Sequence, residues 1–345
     1  MKTLIDKMKV EIALASDLRF SPGLFMTVCS IAHNASREVQ LLFHIMNDGL
    51  DDTCRSNLEI ALDREHPNSA IDWLYVDPSQ FNHLREWRQG GRMTWARLLL
   101  PQLLNSSEWV IYVDVDFLCL ADIAELWKLR TEGISLMSVP DNWPISIPPE
   151  RACFERHGLR FDSSRYFCAG LCFFNLARFR KFEIDKRCFQ LSRFVDFPAN
   201  DQSVLNAVFS DRDDLKMISR KWQTFTRDMT YEDIIQCPMI HFAGDAPWVS
   251  FRINHIFNDS ALLWFRIYAK LKGVGVWECL REFYSPVEIL GYRMLYLMFS
   301  RVRILRKFLY LYFRIKGHID SISIYEALLH KIKMPKLLDV WPCRP

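Results

Sequence analysis

An α/β fold with a mostly parallel, Rossmann-like central sheet flanked by helices is predicted by three features of the sequence. Short apolar runs alternate with longer segments of helical character over the first part of the chain, the pattern of strand–helix–strand units with right-handed crossovers. Several of the runs are continuously apolar, as in strands buried on both faces. Helix-start signals fall between them, most clearly Ser21-Pro22, a hydroxyl cap followed by proline at the first helical position.

In order, residues 10–15 read as a first buried strand and 22–34 as a helix. Residues 39–46 alternate toward a second strand, 51–65 are helical, and 71–76 form a third strand. Residues 94–104 read as a helix that Pro101 kinks or shortens. A further strand runs through Trp109 into Phe117, and apolar strands are expected at 135–139, 171–175 and 238–241. The proline-bearing segments 143–149 and 197–200 read as loops over a binding face. There is no internal repeat and no low-complexity tract.

The 345 residues, half hydrophobic and a quarter charged, suit one large domain with an appended element. Only 12 are glycine, and neither a Gly-x-Gly-x-x-Gly fingerprint nor a Walker loop occurs, which argues against a dinucleotide-binding or P-loop enzyme. Ten cysteines include no Cys-x-x-Cys pair, and Cys29, Cys119, Cys172 and Cys237 lie in apolar stretches. They read as small core side chains of a protein in a reducing cytosol. At the N-terminus, Asp6 and Glu11 interrupt any long apolar run, so no signal peptide is expected.

Net charge divides unevenly. Residues 283–345 hold 11 Lys/Arg and 4 Asp/Glu, while the chain as a whole is +3, so residues 1–282 are net acidic. Between 289 and 319, seven basic residues (among them Arg293, Arg303, Lys307 and Arg314) interleave with seven aromatics and no acid. No stretch there reaches the ~18–20 apolar residues that span a bilayer. A basic, aromatic-rich helical extension of this kind suits an anionic membrane surface, or packing onto the preceding domain. Nucleic acid is not expected as a partner, because the body of the chain is acidic. The organisation expected is therefore a catalytic domain over 1–282 and an attachment segment over 283–345.

The segment most informative about chemistry is Tyr112-Val113-Asp114-Val115-Asp116. If the strand continues through it, Asp114 and Asp116 share a face and Val115 takes the other. Two carboxylates at a strand's carboxyl end lie where open α/β sheets place ligands, and such close like charges call for a cation between them. A hard divalent ion such as Mn2+ or Mg2+, shared with substrate phosphates, fits. Two solvated loop aspartates are the plain alternative.

Six motifs then occur in order. They are Ala15-Ser16-Asp17, Thr94-Trp95-Ala96-Arg97-Leu98, the Asp-Val-Asp segment, and Phe167-Cys168-Ala169-Gly170 with Phe174-Asn175-Leu176. Asn200-Asp201-Gln202-Ser203-Val204-Leu205-Asn206 follows, and last His241-Phe242-Ala243-Gly244-Asp245-Ala246-Pro247-Trp248. This series resembles glycosyltransferase family 8, retaining enzymes that include bacterial lipopolysaccharide galactosyl- and glucosyltransferases, over roughly residues 10–250. The resemblance implies a GT-A type nucleotide-sugar transferase fold, a UDP-sugar donor, a saccharide or lipid-linked saccharide acceptor, and Mn2+ or Mg2+ held by Asp114, Asp116 and His241. Asp17 matches the residue that reads the uracil edge, beside the Ala15 backbone. Arg97 matches an arginine that contacts the donor sugar or holds the aspartates, and Val115 and Gly244 complete the donor contacts. Asp141 matches an acid near sugar hydroxyls, and Asp201 and Gln202 the pair beneath the sugar ring. Gln202 is a poor nucleophile, so front-side attack is favoured over double displacement, with Asp141 and Asp201 orienting hydroxyls and stabilising positive charge. Two positions depart from the family pattern: no lysine precedes Pro247-Trp248, and Cys168 stands where asparagine is common.

The expected function is thus a retaining hexosyltransferase of lipopolysaccharide core or other cell-surface glycan synthesis, peripheral on the cytoplasmic face of the inner membrane. Two other classes compete. A haloacid-dehalogenase-like phosphatase also carries Asp-x-Asp at a strand end, but here Leu118 stands where that family has threonine or valine. A non-catalytic sugar-nucleotide binder is suggested by the missing lysine.

Overall fold

A computed structural model describes residues 8–86, 91–141, 147–225, 237–244, 246–248, 259–287 and 290. The C-terminal segment proposed for membrane attachment lies almost wholly outside the described residues, as does Asp245. Two compact units are distinguished, one of residues 1–115 with 122–222, the other of 116–121 with 223–345.

The first unit is built on a seven-stranded sheet. Its strands are β1 (Lys9–Asp17), β2 (Gln40–Asp48), β3 (Ser69–Tyr75), β4 (Trp109–Val113), β6 (Leu136–Pro140), β7 (Phe167–Asn175) and β8 (Leu215–Met217), in the order β3-β2-β1-β4-β7-β6-β8. Four of the six neighbouring pairs are parallel, and β7 alone runs against both of its neighbours. The mostly parallel α/β architecture is therefore as the sequence predicts. The reversal of β7 is not legible in advance: every residue from Phe167 to Asn175 is buried, and a strand buried on both faces reads the same in either direction.

Helices α1 (Ser21–Asn34) and α2 (Asp52–Glu65) connect the first three strands. Pro22 occupies the first turn of α1. The cap position there is Phe20, with no side-chain hydrogen bond, so Ser21 is the first helical residue rather than the hydroxyl cap read from the sequence. The Asp51 carboxylate does cap α2 by accepting from Cys54 N. Shorter helices follow: α3 (Leu100–Leu103), α4 (Ile123–Trp127), α5 (Ile147–Arg156), α6 (Leu176–Lys181), α7 (Ile184–Ser192) and α8 (Asn200–Phe209). Two further details correct the sequence reading. Residues Met93–Leu99 form a 3-10 helix that runs into α3, so Pro101 stands in the first turn of an α-helix rather than kinking a longer one. Ile147, Pro148 and Pro149, read as loop, open α5. In both places proline is accommodated because the first-turn N–H groups have no intrahelical partner to lose.

The core of this unit packs Trp95, Tyr112, Phe154, Phe167, Phe174 and Phe179, each at most 2% exposed. Burying each such side chain contributes about 1.5–3 kcal/mol. Cysteines are part of this packing. All nine described cysteines are free thiols and all but Cys54 are buried, and burial, against the pull of Arg97, pushes the Cys172 thiol up to about 12.

In the second unit, β5 (Phe117–Cys119), β10 (Met239–His241) and β9 (Thr224–Phe225) form a small sheet in the order β5-β10-β9. Helices α9 (Asp259–Lys272) and α10 (Val276–Leu280) follow. Trp264 stacks on Trp248 at 5.1 Å and on Tyr268 at 4.8 Å, and Phe283 meets Trp264 edge-on at 6.1 Å. The Tyr284 hydroxyl donates to the Pro247 carbonyl. Phe283 and Tyr284, which open the C-terminal segment read from the sequence, thus pack within this unit. Among the described residues no helix is long and apolar enough to cross a membrane.

Candidate active site

Parallel register brings Ile12 beside Ile111 and Ala13 beside Tyr112. β1 continues to Asp17, whereas β4 stops at Val113. The carboxyl end of β1 therefore overhangs its neighbour, and Ala15, Ser16 and Asp17 lie on this overhang. Asp17 turns back on its own chain: Oδ1 accepts from Phe20 N and Oδ2 from Arg19 Nη2, each at 3.1 Å. It also faces Asp48 across the register. Burial and the charges of Asp17 and Asp77 hold the Asp48 carboxyl above its ordinary value.

Beyond Val113 the chain leaves the strand. Asp114 is outside regular structure, Val115 and Asp116 form a turn, and β5 begins at Phe117. This corrects the strand-alternation argument for Asp114 and Asp116, since the extended geometry it needs ends one residue before the pair. The carboxylates converge through the turn instead. Backbone contacts anchor all three residues: Asp114 N donates to Gly170 O at 2.8 Å, Val115 O accepts from Thr27 Oγ1 at 2.9 Å, and Asp116 O accepts from Phe242 N at 2.9 Å.

His241 ends β10, where its ring stacks on Phe117 at 4.1 Å and 15°. One ligand atom from each of Asp114, Asp116 and His241 lies within 4.8 Å of the other two. His241 Nε2 is 3.1 Å from Asp116 Oδ1, yet among the described residues neither that oxygen nor His241 Nδ1, both buried, has a hydrogen-bond partner. Buried polar atoms are normally satisfied. Two carboxylate oxygens and an imidazole nitrogen in one cluster, with orphaned atoms among them, are the donor set of a divalent-cation site. The residues fit such an ion.

Arg97 links this cluster to α8. It is 2% exposed and spends every nitrogen: Nε on Thr94 O at 3.0 Å, Nη1 on Ala169 O, and Nη2 on Asp114 Oδ1 at 2.8 Å. Asp201 Oδ2 lies 2.9 Å from the same Nε, but that N–H is aimed at Thr94, so the contact is an ion pair without hydrogen-bond alignment. The Arg97 guanidinium also lies 4.3 Å from the Tyr112 ring centroid, and the Tyr112 hydroxyl donates to Asp114 Oδ1 at 2.9 Å. Burial works against the charge of Arg97, but the carboxylates of Asp114 and Asp201 outweigh it and hold the guanidinium firmly protonated. Burial raises the Asp201 carboxyl to about 6, with Arg97 pulling it back and Asp114 adding to the rise. Asp201 is not the helix cap: Ala199 occupies that position, and Asn200 takes a left-handed φ of 48°. Asparagine tolerates that conformation better than most residues.

Gln202, in the next position of α8, carries a second set of contacts. Its Oε1 accepts from Ala169 N at 3.0 Å, which fixes the amide orientation. Nε2 donates to Asp141 Oδ2 at 3.1 Å and to the Tyr166 hydroxyl at 3.3 Å. Ala169 is available to both Gln202 and Arg97 because β7 bulges. Its register with β6 jumps from Ser138–Cys172 to Val139–Cys168, leaving Ala169, Gly170 and Leu171 without partners on β6. The buried Ser138 hydroxyl sits inside the bulge, 2.6 Å from Cys168 O and 2.8 Å from Leu171 O.

The sequence-derived residues thus fall into three groups. Asp114, Asp116 and His241 come together; Arg97 and Asp201 join Asp114; Asp141 and Gln202 form a pair tied to the same bulge. Ala15 and Asp17 stand on the β1 overhang. Gly244 is an exposed loop residue with φ of 75°, a conformation that favours glycine. Sequence reading missed Thr27, Tyr112, Ser138, Tyr166 and Glu150. Tyr112 belongs to the Asp-Val-Asp motif and signalled itself by position, whereas nothing in the local sequence marks the others.

This topology, with an Asp-Val-Asp turn at the carboxyl end of β4, accords with comparison to known proteins. The family model described as glycosyl transferase family 8 matches residues 11–251. The chain belongs to glycosyltransferase family 8. Among curated relatives in this family's range, General stress protein A of Bacillus subtilis (strain 168) is 23% identical over 274 residues, covering 73% of this chain and 90% of that protein. The galactosyltransferase LgtC, solved with donor and acceptor sugar analogues, superposes with a TM-score of 0.62 at 20% identity, covering 78% of this chain and 98% of that one. The bifunctional glycosyltransferase WbbM gives 0.58 at 18% identity, over 72% of this chain and 48% of that longer one. At these identities the solved structures show a common GT-A fold. Family membership does not favour the phosphatase alternative.

Proposed function

We propose that this family 8 chain is a retaining, metal-dependent hexosyltransferase that moves glucose or galactose from a UDP-sugar to a saccharide or lipid-linked saccharide acceptor. The observation that carries the reading is the cluster of Asp114, Asp116 and His241 with its unsatisfied buried atoms. When bound there, Mn2+ or Mg2+ would neutralise the charge that builds on the departing diphosphate.

The chain's own residues supply the rest. Arg97 neutralises Asp114 and orients its carboxylate, which reduces repulsion within the acid pair. Asp17 and the Ala15 backbone are assigned to the nucleobase. Gln202 and Asp141 are assigned to the sugar ring and its hydroxyls. Gln202 has both ends of its amide engaged and is no nucleophile, and Asp201 is buried against Arg97. Neither favours a covalent glycosyl intermediate, which supports front-side attack, with the leaving phosphate accepting the acceptor's proton. The basic, aromatic segment 283–345 is assigned to an anionic membrane surface, placing the enzyme on the cytoplasmic face near a lipopolysaccharide-core or similar acceptor.

The test is release of UDP from a panel of UDP-sugars with and without Mn2+. Turnover that requires the metal and discriminates among sugars is expected, with loss of activity on chelation and recovery on adding the ion back. Hydrolysis of a generic phosphate ester but of no UDP-sugar would restore the phosphatase reading. UDP binding with no turnover of any sugar would favour the binder.

A further inference from the structure

Glu150 lies on α5, outside every motif, and is 1% exposed. Its Oε1 accepts from Ser203 Oγ at 2.7 Å, while Oε2 is buried without a hydrogen bond among the described residues. Ser203 Oγ itself accepts from Ala199 N at 2.8 Å, so this hydroxyl ties Glu150 to the first turn of α8. Gln202 precedes Ser203 in that turn, and its Nε2 donates to the Tyr166 hydroxyl. The groups facing the Glu150 carboxyl are the Ala199 N–H and Ser203 hydroxyl from α8, Tyr166 before β7 and Asp141 after β6, with Cys153 on its own helix.

A buried carboxyl with one oxygen unpaired is costly to keep. Packing alone would be served by glutamine or leucine, so the acid calls for another explanation. We propose that Glu150 is a positioning residue for the transfer centre: through Ser203 it holds the first turn of α8, and with it the Gln202 amide, against Asp141 and the Ala169 peptide. This role rests on the transferase reading for its consequence in turnover, but not for its geometry. Ionised Glu150 accepts the Ser203 hydroxyl proton strongly and so fixes the first turn of α8 that carries Gln202. Neutral Glu150 is a weaker acceptor, and the turn is held less firmly against Asp141 and the Ala169 peptide. Burial raises the Glu150 carboxyl to about 7; Ser203, Tyr166 and the Ala199 N–H oppose the rise, and the charge of Asp141 adds to it. The arrangement therefore loosens as pH falls through neutrality.

The experiment compares the full-length chain with E150Q, E150D and S203A. The first readout is the side-chain amide NMR signal of Gln202, labelled through glutamine and assigned by its disappearance in Q202N. In the unsubstituted chain this signal is expected to shift with a midpoint near 7, in E150Q to be fixed, and in E150D to titrate at a displaced midpoint. The second readout is Mn2+-dependent turnover of whichever UDP-sugar is active: kcat is expected to fall on the order of tenfold in E150Q, with KM for the donor little changed and the low-pH limb of kcat flattened. A Gln202 signal indifferent to pH in the unsubstituted chain, or an E150Q enzyme with unchanged kcat and pH profile, would overturn the proposal. S203A breaks the same link with a smaller change; an undisturbed Gln202 signal there would also overturn it, whether or not E150Q folds. Because the amide signal needs no turnover, its failure is separable from failure of the transferase reading.

Discussion

Asp114→Asn is expected to lower metal-dependent UDP-sugar turnover on the order of 10²–10³-fold while leaving the protein folded. Asparagine keeps the size of aspartate and an oxygen for the Tyr112 hydroxyl and Arg97 Nη2. What it removes is one of the two negative charges beside His241. An ion held by two carboxylates and an imidazole loses much of its attraction when one carboxylate becomes neutral. The check pairs steady-state kinetics with a Mn2+ titration in the presence of UDP: kcat/KM and ion affinity should fall together, with the thermal midpoint within a few degrees of the unsubstituted chain. Unchanged turnover would remove Asp114 from the metal site.

Replacing Arg97 has the opposite profile, a large loss of stability. The guanidinium is 2% exposed, satisfies two carbonyls, and compensates both Asp114 and Asp201. Arg97→Met fills a similar volume but leaves two carboxylates facing each other with no cation between them. Removing one partner of a buried ion pair costs about 3–5 kcal/mol, which for a chain of this size lowers the thermal midpoint on the order of 10 °C. Arg97→Lys is expected to recover only part of the loss, because an ammonium restores the charge but not the fork that reaches Thr94, Ala169 and Asp114 together. Thermal unfolding followed by circular dichroism measures both. A midpoint for Arg97→Met within about two degrees of the unsubstituted chain would show that the carboxylates need no cation.

The two substitutions separate roles that the sequence presents as one string of motifs. Periodicity and cap signals give β1, α1, β2, α2 and β3 to within a few residues, because local chemistry decides them. Pro22 marks the first turn of α1, although Ser21 beside it is a helical residue and not the cap. The direction of β7 is decided by its neighbours rather than by its own uniformly buried residues. The bulge at Ala169–Leu171 is likewise tertiary, propped by Ser138 from the next strand. The acid pair is an instructive case. Strand alternation predicts convergence of Asp114 and Asp116 for a reason that does not operate, since the strand ends at Val113 and a turn anchored by Thr27, Gly170 and Phe242 brings them together. His241 was legible only through its motif, because a histidine after an apolar strand is otherwise an ordinary core residue. Glu150 was not legible at all. Its neighbours are brought to it from β6, β7 and α8, and no spacing along the chain encodes that meeting.

The central claim is that Asp114, Asp116 and His241 hold one divalent ion against the diphosphate of a sugar nucleotide. Anomalous diffraction from crystals grown with Mn2+ and UDP addresses it most directly. A single manganese peak within about 2.0–2.3 Å of a carboxylate oxygen of each aspartate and of a His241 ring nitrogen, with UDP phosphate oxygens completing its shell, is the result expected. UDP bound with no manganese among these three side chains would contradict it.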